Sequence, residues 1–111
     1  MTNLISRTEL EEVLRNDEVV LVDTLPSSYY DRMHLPGAIN LVESEVEHRA
    51  AEVLPDRHAA VVTYCSNAAC GNSQAVANRL ERLGYANVRK YRDGIQDWVE
   101  AGNATERTTA A

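Results

Sequence analysis

The sequence has 111 residues and a mass of 12.3 kDa, which fits one domain and leaves no room for two ordinary ones. Apolar residues make up 44% and charged residues 25%, as in globular proteins, so wholesale disorder and fibrous structures are not expected. No run of about 18 apolar residues is present, which excludes a transmembrane helix. The net charge of -6 argues against binding to nucleic acid or to a membrane surface.

The first residues lack a charged start followed by an apolar core, so we expect no secretory signal peptide and a cytoplasmic protein. Two cysteines, Cys65 and Cys70, are too few for a secreted disulfide framework. With three scattered histidines they are also poor material for a zinc site, so we predict neither a metal nor a cofactor. The two thiols are therefore either buried small hydrophobes or reactive groups.

The chain alternates helix-like and strand-like segments at short spacing, which is typical of an α/β domain. Ser6 and Glu9 have the spacing of a capping box and predict a short helix with Leu10 on its apolar face. The run of β-branched residues over 19–23 shows no alternation. That pattern predicts a strand covered on both faces in a parallel sheet.

Residues 24–37 are punctuated by prolines and predict a loop with one helical turn. A short strand is expected over 38–41. It is followed by a predicted helix over 43–54, in which Ser44 and Glu47 again have capping-box spacing.

The second strong strand is predicted over 59–64, and a loop of small and polar residues over 65–72 follows it. Ser73 is predicted to cap the next helix, which ends with Gly84 at the position after the C-cap. A further strand is expected over 88–91.

A last helical turn is predicted from Gly94, with Trp98 packing on the sheet. We expect a single domain over residues 1–103 and a flexible tail over 104–111, where the residues are polar and small.

Cys65 directly follows a strand, at the end where ligands bind in open α/β sheets. The small residues after it allow successive amides to converge on an anion, and the next helix adds its positive dipole end. Both effects favour a nucleophilic thiolate, because such surroundings lower a cysteine pKa from about 8.5 into roughly the 3.5–7.5 range. The alternative is a buried strand-end cysteine without chemistry. The amides predicted to bind substrate are those of Ser66, Asn67, Ala68, Ala69, Cys70, Gly71, Asn72 and Ser73.

Four blocks in order give the chain a resemblance to a single-domain rhodanese, a sulfurtransferase-type domain, over roughly residues 6–102. They are the strand V-L-V-D over 20–23, H-L-P-G-A-I-N over 34–40, V-V-T-Y-C over 61–65 and the ending from L-G-Y to the tryptophan over 83–98. The resemblance is strong because the blocks occur together.

The resemblance implies a three-layer fold, with a central parallel sheet of about four or five strands flanked by helices. It also implies that Cys65 accepts sulfane sulfur as a persulfide and passes it to a thiophilic acceptor. The expected partners are a small sulfur donor, either a persulfide or thiosulfate, a thiol or cyanide acceptor, and a partner protein as a further candidate.

The loop departs from the C-x-x-G-x-R-S pattern of many rhodaneses. Ser73 falls eight positions after Cys65 and Asn72 precedes it, so the loop is about two residues longer and lacks a basic side chain. A dianion gains from a fixed charge as well as from amides. We therefore expect a protein or small-thiol persulfide to be a better donor than thiosulfate.

The remaining candidates have structural alternatives. Asp23 ends a strand, and we favour hydrogen bonding to loop amides over proton transfer; the family's D-V-R reads D-T-L here, so Arg32 is the candidate to replace the missing arginine. His34 precedes a Pro-Gly turn, and we interpret it as fixing that loop. Cys70 is either a resolving thiol that forms a disulfide with Cys65 or a small filler, and a bridge requires Cα atoms within about 7 Å.

Three other functions remain open. A phosphatase or arsenate reductase of this fold would need C-x5-R, but Gly71 and Asn72 stand where that arginine would be. A binding or sensing module without catalysis fits the missing arginine. A thiol–disulfide switch would use both cysteines.

Overall fold

The computed structural model describes residues 2–108 and contains one five-stranded parallel sheet in the order β1-β5-β4-β2-β3. The strands are β1 Asn3–Leu4, β2 Val20–Asp23, β3 Ile39–Asn40, β4 Val61–Tyr64 and β5 Val88–Tyr91. The helices are α1 Arg7–Arg15, α2 Ser27–Arg32, α3 Val46–Val53, α4 Asn72–Arg82 and α5 Gly94–Glu100, with a 3-10 turn at Glu43–Glu45. The predicted α/β fold with a helix-flanked parallel sheet is confirmed.

Strand β4 lies in the middle of the sheet, paired with β2 on one side and β5 on the other, and all four of its residues are buried. Successive side chains of a strand point to opposite faces. Val61 faces a core beneath α3 and α4, whereas Val62 and Tyr64 face a second core with α1 and α5. Two covered faces explain why β2 and β4 are buried along their length and mostly apolar rather than alternating.

The capping box at the start of α1 is present, since the Ser6 side chain accepts from the Glu9 amide and the Glu9 carboxylate accepts from the Ser6 amide. Gly84 follows the C-cap of α4 with φ +95, as predicted. The second predicted capping box, at Ser44 and Glu47, is wrong. Ser44 lies inside the 3-10 turn, so its backbone lacks the extended conformation of an N-cap, and α3 begins only at Val46.

The start of α4 also differs from the prediction. The helix begins at Asn72, with Gly71 at the N-cap and no side-chain cap, so Ser73 lies within the first turn. Ser73 is buried, and its carbonyl oxygen accepts a hydrogen bond from the Thr63 hydroxyl at 3.1 Å. Ser73 therefore joins the helix to the central strand instead of capping it.

Residues 104–108, expected to be the start of a flexible tail, pack against the domain. Glu106 forms an antiparallel bridge with His34, and its carboxylate accepts from the Gly37 amide at 2.8 Å. The Thr108 amide donates to the Asp31 carbonyl at 2.9 Å. The rest of the expected tail, 109–111, lies outside the described residues. Within residues 2–108, no helix is long and apolar enough to span a membrane.

Candidate functional site

Cys65 lies immediately after β4, at the carboxyl edge of the sheet, and is 1% exposed. Its sulfur is bonded to that of Cys70, and the two Cα atoms are 6.2 Å apart. That separation lies within the usual range for disulfides, about 4.4–6.8 Å. The loop therefore brings together the two thiols that the sequence analysis singled out.

The backbone that carries Cys65 is held by the first turn of α5. The Ile95 amide donates to the Cys65 carbonyl at 2.9 Å, and the Gln96 amide donates to the Ser66 carbonyl at 3.0 Å. Gly94, with φ +73, permits this approach, because a Cβ there would stand 2.6 Å from the Cys65 carbonyl oxygen. The absence of a side chain at position 94 thus allows α5 to pack against the backbone that carries Cys65.

Thr24, which directly follows β2, holds the end of β4 just before Cys65. Its hydroxyl donates to the Tyr64 carbonyl at 2.8 Å, and its amide donates to the same oxygen at 3.1 Å. The Thr24 carbonyl in turn accepts from the Asn72 side chain at 3.4 Å. The strand end before Cys65 and the start of α4 are tied together through this one buried residue.

Asn67 organises the loop between the two cysteines. Its carbonyl accepts from the Cys70 amide at 3.1 Å, which closes a turn, and its side-chain oxygen accepts from the Ala69 amide at 2.9 Å. The Asn67 side-chain amide donates to Gln96 at 3.3 Å. The resulting curl returns Cys70 towards Cys65.

The loop amides divide into two groups. Those of Ala69 and Cys70 are engaged by Asn67. Within residues 2–108, no protein group accepts from the other predicted substrate-binding amides, namely those of Ser66, Asn67, Ala68, Gly71, Asn72 and Ser73. Amides without a protein partner in a loop that leads into a helix can stabilise negative charge.

Asp23 is fully buried beneath this edge and does not bond to the cysteine loop. Its carboxylate accepts from the Leu25 amide and from the Tyr64 hydroxyl, both at 2.8 Å. The Tyr64 hydroxyl also accepts from the Leu35 amide at 3.0 Å. Burial raises the pKa of Asp23, while these hydrogen bonds oppose the rise. The Asp23 carboxylate thus holds the backbone that directly follows β2 and the side chain at the end of β4.

His34 is buried, and its side chain contacts α2. Its Nδ1 lies 2.6 Å from the Tyr30 carbonyl, and its ring stacks on that of Tyr30 with centroids 3.9 Å apart. Arg32 does not fill the place of the missing arginine beside Asp23. Its Nε donates to the Ser28 carbonyl at 3.2 Å, and its guanidinium lies over the Tyr29 ring.

A cavity of about 660 Å³ opens beside the loop. Arg32 contributes a cation to its wall, and Ser66, next to Cys65, also lines it; the other lining residues are Leu25, Tyr29, Met33 and Ile95. The wall is mostly apolar, so an organic molecule fits it better than a small inorganic anion does. Among residues 2–108 there is no group of three or more side chains suited to a metal.

Sequence reasoning placed the cysteines but missed the residues that position them. In the sequence, Thr24 stands out only as a departure from the family pattern, and Gly94 only as a helix start. The signal for Gly94 was the Asp-Gly pair directly before an apolar helical stretch. An Asn in a loop favours a turn in which its side chain accepts from the amide two residues on, as Asn67 does from Ala69. The sequence does not indicate that this turn would bring Cys70 to Cys65.

Comparison with known proteins relates the chain to one family. Residues 6–101 match the family described as "Rhodanese-like domain". The chain is 38% identical over 98 residues to the HTH-type transcriptional regulator Rv0324 of Mycobacterium tuberculosis, which covers 88% of this chain and 42% of that protein. It is 34% identical over 76 residues to the thiosulfate sulfurtransferase PspE of Escherichia coli, covering 68% of this chain and 70% of that protein. The chain thus spans less than half of the regulator's length.

Solved structures share the fold. A Bacillus halodurans protein, BH2092, superposes with a TM-score of 0.88 at 21% identity, covering 96% of this chain and 78% of that one. A rhodanese-related protein from Thermoplasma volcanium gives a TM-score of 0.78 at 22% identity, covering 94% and 97%. At these identities the likeness concerns the fold alone.

Proposed function

The chain belongs to the rhodanese-like family, and we propose that it is a sulfurtransferase that carries sulfane sulfur as a persulfide on Cys65. The observation that carries the proposal is the position of Cys65, at the carboxyl end of the central strand and the base of a loop with unengaged amides. Those amides and the positive end of the α4 dipole stabilise a thiolate and the charge on a persulfide.

The reaction has two displacement steps. In the first, the Cys65 thiolate of the reduced protein attacks the sulfane sulfur of the donor, and the donor leaves with the electron pair of the broken bond. In the second, an acceptor thiol or cyanide attacks the outer sulfur of the persulfide and regenerates the thiolate. Each step changes the negative charge on the sulfur of Cys65, so the same loop amides can stabilise the thiolate and the persulfide.

The charge of the cysteine loop and the shape of the cavity beside it favour a persulfide of a small organic thiol as the donor. The loop over residues 65–73 holds no basic side chain, so the loop itself offers thiosulfate only amides. The mostly apolar cavity beside Ser66 offers contacts to an organic thiol, and Arg32 offers a cation to a carboxylate on it. Thiosulfate can make only part of these contacts.

Intact mass after exposure to a sulfane donor tests the proposal. Reduced Cys70→Ser protein incubated with glutathione persulfide should gain one sulfur atom, and digestion should locate it on Cys65. The matched Cys65→Ser protein should gain none. Full transfer activity in Cys65→Ser would overturn the proposal.

Restoring a basic residue before Ser73 tests the argument about the donor. Asn72→Arg should raise kcat/KM for thiosulfate by roughly tenfold or more, because a hydrogen bond to a charged group contributes about 1.5–3 kcal/mol. Asn78→Arg is the matched control, since Asn78 is an exposed residue of the same helix. Equal effects of the two variants would show that net charge, rather than the position of the cation, limits thiosulfate turnover.

A second candidate function is a sensing module within a longer regulator. The resemblance to a transcriptional regulator favours it, and that protein extends well beyond the region matched here. In this case Cys65 would respond to a ligand or modification without turnover. A persulfide that forms on Cys65 but is not passed to thiols or cyanide in a multiple-turnover assay would favour sensing over transfer.

A further inference from the structure

The bond between Cys65 and Cys70 points to a reaction beyond transfer to an external acceptor. We propose that Cys70 attacks the Cys65 persulfide at its inner sulfur, which forms the disulfide and releases the outer sulfur as hydrosulfide. This inference rests on the proposed persulfide of Cys65 and adds a second fate for it.

The geometry defines which sulfur is attacked. The inner sulfur of the persulfide is Sγ of Cys65, and the structure has Sγ of Cys70 bonded to that atom. The turn closed by Asn67 brings the Cα atoms to 6.2 Å while β4 and α4 keep their hydrogen bonds to the rest of the domain. Attack at the outer sulfur would instead move the persulfide to Cys70 and would leave the two cysteines unbonded.

The step balances without an external oxidant. The Cys70 thiol gives its proton to the outer sulfur of the persulfide anion, and the resulting thiolate gives an electron pair to Sγ of Cys65. The bond between that sulfur and the outer sulfur breaks, and the outer sulfur leaves as HS⁻ with the electron pair. The sulfane sulfur is reduced to sulfide while the two thiols are oxidised to a disulfide. A dithiol reductant must then reopen the loop before another round.

The burial of the two cysteines indicates how the disulfide-bonded form of the loop, its closed state, reacts with a reductant. With the bond formed, Cys65 is 1% exposed, whereas Cys70 is partly exposed. A reductant therefore reaches Cys70 more readily, and its attack there releases the Cys65 thiolate as the leaving group. Formation of the disulfide removes the Cys65 thiolate and so stops sulfur transfer. Exposure of the protein to sulfane sulfur thereby leaves a covalent change in the loop.

Preloaded single-turnover reactions test the proposal. Reduced wild-type, Cys70→Ser and Cys65→Ser proteins are exposed briefly to glutathione persulfide, desalted, and followed without an acceptor. Intact mass after thiol alkylation distinguishes dithiol, persulfide and disulfide, and released sulfide is quantified in parallel. The sulfide found with Cys65→Ser is the background and is subtracted.

The wild-type persulfide should decay into disulfide with one sulfide released per chain. In Cys70→Ser it should last more than about tenfold longer, because a tethered thiol acts at an effective concentration in the millimolar range. A wild-type persulfide as long-lived as that of Cys70→Ser, or a disulfide formed without sulfide, overturns the inference. Absence of sulfur on Cys65 in Cys70→Ser overturns the proposed function instead, so the two failures are distinguishable.

Discussion

Replacing Gly94 by alanine introduces a methyl group into the backbone that carries Cys65. The added Cβ would stand 2.6 Å from the Cys65 carbonyl oxygen and 2.7 Å from the carbonyl carbon and oxygen of Ser66. Both neighbours are backbone, and both carbonyls already accept hydrogen bonds from α5. The methyl group can therefore be accommodated only if α5 or the cysteine loop moves.

The loss of unfolding free energy in Gly94→Ala has two contributions. Alanine at the φ of +73 observed for Gly94 costs about 1–2 kcal/mol, because its Cβ crowds the following carbonyl. The overlap with the loop adds about 1–3 kcal/mol, the usual cost of overpacking. Gly102, with φ +86 and nothing within 4 Å of its Cβ position, would incur only the first part. We expect Gly94→Ala to lose about 2–5 kcal/mol of unfolding free energy and Gly102→Ala about 1–2 kcal/mol.

Urea unfolding of the reduced proteins measures this difference, and the rate of persulfide formation measures its effect on the site. A shift of the Cys65 backbone by a fraction of an ångström to one ångström should slow loading by about 10- to 100-fold in Gly94→Ala. Gly102→Ala should load at the wild-type rate. Equal losses of stability in the two variants, or normal loading by Gly94→Ala, would refute the argument that this contact positions the nucleophile.

Further predictions concern the hydrogen bonds beneath and within the loop. Tyr64→Phe removes the partner of two buried groups, the Asp23 carboxylate and the Leu35 amide, and should lower the unfolding free energy by about 2–4 kcal/mol in urea titrations. Burial raises the pKa of Asp23, so the folded state binds its proton more tightly than the unfolded state; the associated stability is present at low pH and is lost as pH rises through the folded pKa. Unfolding measured from acid to neutral pH should show Asp23→Asn gaining stability relative to wild type above pH 3.8, the ordinary pKa of an aspartate side chain. Asn67→Ala removes the acceptor of the Ala69 amide and should speed hydrogen exchange at that amide.

Each of these predictions has a control or a contrary outcome. Tyr85→Phe removes a hydroxyl that donates only to the Leu54 carbonyl, so a loss as large as that of Tyr64→Phe would contradict the role given to the Asp23 carboxylate. Parallel pH profiles of wild type and Asp23→Asn would show that another group governs the profile. Unchanged exchange at Ala69 in Asn67→Ala would mean that the turn holds without the side chain.

The parts of the fold that sequence predicted are those fixed by local pattern. The apolar runs of β2 and β4 are long enough to indicate strands, and the reciprocal bonds of Ser6 and Glu9 need only a helix start. Strand β1 has two residues and forms only because β5 offers an edge, so no local pattern marks it. Ser44 has the right residue type and spacing for a cap, but a 3-10 turn occupies the position.

The residues of the site also divide into those that a local sequence pattern indicates and those that depend on contacts between distant segments. Cys65 was recognisable because a strand, a loop of small residues and a helix succeed one another in the chain. Thr24 and Gly94 act on the Cys65 region from distant segments, through contacts with Tyr64 and with Cys65 itself, and such contacts depend on the register of three strands. The pairing of Cys65 with Cys70 needed the curl at Asn67.

The ring closed by the two cysteines is short, since they are five positions apart. The chain entropy that a cross-link removes from the unfolded state grows with the logarithm of ring size, and for a ring this small it amounts to only about 2 kcal/mol. Opening the ring therefore subtracts a minor part of the roughly 5–15 kcal/mol that holds an ordinary domain folded. Most of that stability is left when the ring is open, so the domain can stay folded in both the open and the closed form of the loop.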